Sequence, residues 1–210
     1  DAVFDHINDY YYYLKEFFQY PNTRFDRYDG WHEYGLCLWL HFLEDRFCQY
    51  IQKGEMVRRI WEKIVDYPAI TAIDLVLNEF GRSFNEELAI FHGWNYKTGS
   101  RADTINFYPE GHAYPEVALE GIYPFTLDTM IVDEVLPTGA RYYQFIETGG
   151  TKLTLIPSYL DWDRGQSADS FSIALVRGNY GSNYINLDND IQTRMIVNDG
   201  NDWISYHTTD

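Results

Sequence analysis

The period at which apolar side chains recur changes near residue 115, and this change limits the available folds more than any other feature of the sequence. Before it, Val3, Phe4, Ile7, Tyr11, Leu14 and Phe18 follow one another at three and four positions, the spacing of one helix face. After it, short runs such as "TMIVDEV", "RYYQFIET", "TKLTLIPSY", "SFSIALVRG", "TRMIVND" and "DWISYHT" are rich in β-branched and aromatic residues, and turn formers separate them. The expectation is an α+β chain: an all-α helical subdomain over residues 1–114, then an antiparallel, jelly-roll-like β-sandwich over 115–210.

Five helices are expected in the first half. The first breaks at "PNTRFDRYDG", where Pro21 and Gly30 interrupt the pattern. The second, "YGLCLWLHFLEDRFCQYI", is apolar nearly all round at its start and so should be buried on several sides. The third, "GEMVRRIWEKIVDY", would turn Met56, Val57, Ile60, Trp61 and Ile64 inward. Pro68 opens the fourth, Gly81 ends it in a left-handed cap, and Ser83 with Glu86 has capping-box spacing for the fifth, which Gly99 stops. Cys37 and Cys48 fall on one helix about 16 Å apart, too far for a mutual bridge, and are expected as small core residues.

Charge narrows the partners. The 32 acidic and 16 basic residues give a formal net charge of −16, which repels phosphate backbones and anionic lipids, so nucleic acid is not expected as a partner. No stretch approaches the roughly 20 apolar residues of a membrane-spanning helix. The opening "DAVFDHINDYYYYLKEFF" has neither the basic region nor the apolar core of a signal peptide, and it starts inside a helical pattern, as a piece of a longer chain would.

Catalytic signatures are sparse. Of His6, His32, His41, His92, His112 and His207, none forms the His-Glu-x-x-His pair that aims two imidazoles at one zinc: "HEYGL" lacks its second ligand, and "HFLED" lacks a partner. The sequence contains no nucleophile elbow, phosphate loop or dinucleotide fingerprint. Alternating carboxylates in "DWDRGQSAD" and "NLDNDIQ" make Asp161, Asp163, Asp188 and Asp190 candidate calcium ligands, although neither loop has the twelve-residue calcium pattern. Trp162, Tyr180, Tyr184 and Trp203 could grip sugar rings or seal the ends of the sandwich.

The densest signal is "IFHGWNYKTGSRADTINFYPEGHAYPEV". Asn95 and Thr98 stand near a helix end where orphan carbonyls need partners, and Arg101 can reach Glu110 or Glu116. Trp94, Tyr96, Phe107, Tyr108 and Tyr114 are expected to fill a seam between the two units.

The same stretch resembles a family of secreted bacterial zinc metalloproteases of the gluzincin-like kind. The resemblance rests on Trp94, Asn95, Tyr96, Thr98, Gly99 and Arg101, then Tyr108, Glu110, Gly111, Tyr114, Pro115, Glu116 and Val117. It extends back through "SFNEELAIF", "IWEKI", "YGLCLWLHFLEDRF" and "VFDHINDYYYYL", so it covers about residues 1–117. In that family the zinc-binding His-Glu-x-x-His and a third ligand, a glutamate, lie upstream of the segment similar to "NDYYYY". The resemblance therefore implies a secreted, non-catalytic C-terminal portion whose zinc ligands are not in this chain and whose natural partner is that upstream segment. It also suggests His32 and Tyr34 as lining of the cleft's far wall. The alternative is an extracellular binding or structural module that contacts glycan, calcium or a surface protein.

Overall fold

The computed structural model describes residues 9–124 and 135–146, together with the strands 152–155, 171–176, 182–187, 193–198 and 204–208. Six helices dominate residues 9–101, and several of their ends are fixed by identifiable groups. The helix α1 spans Tyr11–Gln19 and buries Leu14, Phe17 and Phe18. After the loop at Pro21, the Asp29 carboxylate accepts from the amides of Trp31 and His32 at 3.0 and 2.9 Å, while Glu33 reaches back to the amide of Gly30. That reciprocal cap starts α2, His32–Gly35, and α3, Cys37–Phe47, follows at once. Gly35 lets α2 lie on α1, since a Cβ there would stand 2.7 Å from that of Phe17.

The helix α4, Glu55–Ile64, has no cap from its own N-terminal residue, Gly54. Glu44 of α3 supplies one: its buried carboxylate accepts from the Gly54 amide at 2.6 Å and the Val57 amide at 2.9 Å. The helix α5, Ala69–Asn78, begins after Pro68. It ends with the Arg82 amide on the Leu77 carbonyl and the Gly81 amide on that of Asn78, both at 3.1 Å, with Gly81 at φ +69°. This is a Schellman cap. Ser83 then accepts from the Glu86 amide at 3.3 Å to start α6, Phe84–Tyr96, and Asp74 of α5 takes the Phe84 amide at 2.7 Å.

Two inward assignments are corrected. Trp61 is 62% exposed, because Met56, Ile60 and Ile64, each one turn from the next, face the core and Trp61 lies about 100° further round α4 than Ile60. Cys48 is exposed because α3 stops at Phe47 and the chain turns outward there, whereas Cys37 is half-buried; both thiols are free.

The α6 helix forms the axis of the core. Phe91 on it meets Phe17, Phe25, Trp39 and Phe42 edge-on or tilted, with ring centroids 5.2 to 6.2 Å apart. The core continues past residue 114. Val117 and Tyr142 are buried in the same cluster, the Ala118 amide donates to the Phe18 carbonyl, and the Ala140 amide donates to that of Pro21.

The antiparallel sandwich expected after residue 115 is not seen among the described residues, which are mostly helical. The first two strands, β1 (Gly121–Pro124) and β2 (Tyr143–Ile146), pair in parallel with Gly121 opposite Tyr143. Their direction follows from their approach, because the segments leading into both are held side by side on the helical body and joined by the Glu120 amide on the Tyr142 carbonyl. A period of two identifies a strand but not its partner. The other strands form separate antiparallel sheets: β3 (Lys152–Leu155), β6 (Thr193–Asn198) and β7 (Ile204–Thr208) in the order β3-β6-β7, and β4 (Phe171–Val176) with β5 (Ser182–Leu187). No described helix is long and apolar enough to cross a membrane.

A candidate binding recess and the aromatic hub beside it

Between α1, α2, α3 and the start of α4 lies a recess of about 440 Å³. The α3 helix forms one wall, because Cys37, Leu40, His41, Glu44 and Asp45 recur at three and four positions along one stripe. Tyr10 and Tyr13 enter from α1, Tyr34 from α2, and Lys53 and Val57 from the α4 side. The Tyr13 and Tyr34 rings stack with centroids 4.8 Å apart, and Tyr34 is 53% exposed.

The floor is hydrogen-bonded. The Tyr10 hydroxyl donates to Glu110 Oε2 at 2.9 Å and lies 2.8 Å from the Tyr114 hydroxyl. The His41 ring stacks on Tyr10 at 4.9 Å. Burial pushes the Tyr10 phenol well above its ordinary value, so it stays protonated and donates. It likewise lowers the His41 pKa, which keeps that ring neutral at pH 7, and lifts the Cys37 thiol to about 11, which leaves it a poor nucleophile. Asp45 is the exception to this pairing. Removal from water raises its carboxyl to about 6, against the opposing pull of Lys53 and with added repulsion from Glu110 and Glu44. Glu44 is committed to the α4 amides and Glu110 to Tyr10, whereas Asp45 has no hydrogen-bond or ion-pair partner among the described residues.

Next to the recess, the residues of the aromatic junction interlock. Trp94 sets its ring edge-on to Phe42, Phe107 and Tyr108 at 5.2, 5.7 and 5.1 Å. Tyr108, fully buried, donates to Asn95 Oδ1 at 2.8 Å. Thr98 is also fully buried, and its hydroxyl sits 3.0 Å from the Asn95 carbonyl and 2.7 Å from that of Pro115. Gly99 takes φ +60° and packs on Glu116, where a Cβ would stand 2.5 Å from Cγ. The Arg101 guanidinium covers the Tyr96 ring at 4.3 Å, donates to the Val117 carbonyl at 3.1 Å and lies 3.9 Å from Glu116. Glu110 turns instead to Tyr10. These side chains belong to the core that α6 shares with residues 107–117.

The two residues suggested as cleft lining part company. Tyr34 lines the recess, whereas His32 is buried against Phe17 at 5.0 Å, and burial depresses its pKa. His92 is committed elsewhere. Its Nε2 lies 3.1 Å from the Thr138 carbonyl and Nδ1 lies 3.3 Å from the Tyr142 hydroxyl, which itself donates to the His92 carbonyl. The candidate calcium ligands Asp161, Asp163, Asp188 and Asp190 lie outside the described residues, as do Trp162, Tyr180 and Trp203. No three His, Cys, Asp or Glu side chains converge in metal-binding geometry among the described residues. His41, Asp45 and the tyrosine wall escape a search for known motifs. Their signal is the polar run of His41, Glu44 and Asp45, within one turn, on a helix that is apolar elsewhere around its start. No protein-family model, no curated protein and no solved structure matches the chain.

Proposed function

We propose that this chain is the helical, non-catalytic portion of a secreted zinc-metalloprotease-like protein. The observation that carries the reading is the mutual contact of the resembling residues. Asn95 with Tyr108, Thr98 with Pro115, Gly99 with Glu116 and Arg101 with Val117 are joined across 13 to 17 positions, so the motif acts as one structural unit. A motif of that kind holds a scaffold in shape, and the reactive metal centre is supplied by a segment upstream in the parent protein. The engagement of both His92 ring nitrogens by Thr138 and Tyr142 fits a part that supports a reaction rather than performs one.

Metal analysis of the purified 210-residue chain, paired with a casein or peptide cleavage assay, tests this. The expected result is no stoichiometric zinc and no turnover. Zinc retained through dialysis together with peptide cleavage overturns it.

A further inference from the structure

We propose that the recess between α1, α2 and α3 binds the side chain of an arginine presented by a basic protein segment. Three observations converge on that chemistry. The first is shape: a cavity of about 440 Å³ takes an extended guanidinium side chain with its neighbours on the peptide. The second is the wall. Tyr34, 53% exposed, rests one ring face on Tyr13 and leaves the other to a ligand, and Trp31, 41% exposed, has its ring 6.1 Å from that of Tyr13. A guanidinium stacks on such faces and gains from their negative quadrupole. The third is the unanswered carboxylate. Asp45 lines the cavity half-buried and without a partner among the described residues, and a planar fork of N–H donors would supply one.

Charge decides between this occupant and others. Asp9, Glu44 and Asp45 outweigh Lys53 along the lining, Glu110 stands behind Tyr10, and the chain as a whole carries −16, so anionic ligands are repelled. A hard metal cation would need several converging oxygens, and Glu44 and Glu110 are already engaged. The inference does not rest on the metalloprotease reading, and its test involves neither zinc nor cleavage, so each can fail alone.

The test is a calorimetric titration of the 210-residue chain at pH 7.5 and low salt with acetyl-Gly-Arg-Gly-amide. Its neutral citrulline counterpart and cellotetraose serve as comparisons. The arginine peptide is expected to bind at least about tenfold more tightly than the citrulline peptide, the scale of a partly desolvated charge pair with a stacked ring. Asp45→Asn should lose about that factor, and Tyr34→Ala, at an exposed position, should lose severalfold with an unchanged melting temperature. Affinity should also fall as the pH drops through about 6, where Asp45 takes up a proton. No binding, equal binding of the two peptides, preference for cellotetraose, or full affinity in both variants overturns the proposal.

Discussion

At the scale of single residues, Asp45 and His92 set opposite pH dependences on the fold. The Asp45 carboxyl is raised to about 6 from an ordinary value near ~3.9, so its contribution is most favourable in acid and is lost as the pH rises between those values. Asp45→Asn should therefore stabilise the chain at pH 7 by ~1 kcal/mol, a figure discounted for the group's partial exposure, while weakening arginine binding. Chemical denaturation at pH 4 and pH 7 reads this directly: the gain should be present at pH 7 and absent at pH 4. Burial lowers His92 to about 4 from an ordinary ~6.5, although its bond to the Thr138 carbonyl pulls the other way. Its contribution is complete above ~6.5 and disappears as the pH falls towards 4. His92→Phe should cost about 1–2 kcal/mol at pH 7 and flatten the acid limb of the stability curve; an unchanged limb counts against the assignment.

Elements are delimited here by two kinds of signal, and only one of them is local. Gly81, Ser83 with Glu86, and Gly99 sit at sequence positions where helix ends are readable, and the structure puts the Schellman cap, the Ser83 cap and a left-handed glycine at them. Glu44 capping α4 and Asp74 tying down α6 span ten or more positions, and no window along the chain reveals them. The same limit explains Trp61, which a helical period places inward although neighbouring helices leave it uncovered. The two glycines also separate local from tertiary demands. A Cβ at Gly81 meets open space, so Gly81→Ala should cost about 1 kcal/mol for the backbone alone. At Gly99 the Cβ also strikes Glu116, and thermal melts should show a larger loss for Gly99→Ala, part of which Glu116→Ala restores. Equal losses at the two sites would remove Glu116 from the account.

For the whole molecule, sequence spacing located the helical half and the aromatic junction but misjudged the architecture beyond residue 115. Alternation identified strand-forming residues there; the direction of β1 and β2 depends on anchors contributed by α1, the loop at Pro21 and α6, which are remote in sequence. The recess was not legible as a site: no spacing joins Tyr10, Tyr13 and Tyr34 to α3, and its carboxylate was hidden among many others in an acidic chain.

The clasp of Tyr142 and Thr138 on His92 also bears on how the protein is made. A growing polypeptide that has emerged only as far as Tyr114 would hold the six described helices yet lack Val117 and Tyr142 of the core and the groups that engage His92. We therefore expect a fragment of residues 1–114 to melt broadly and bind a hydrophobic dye, and one of residues 1–146 to melt in a single sharp transition. Synthesis would thus pass through a stage in which helices are present but unsealed, a stretch of about thirty residues during which the nascent chain is most exposed to chaperones and proteases.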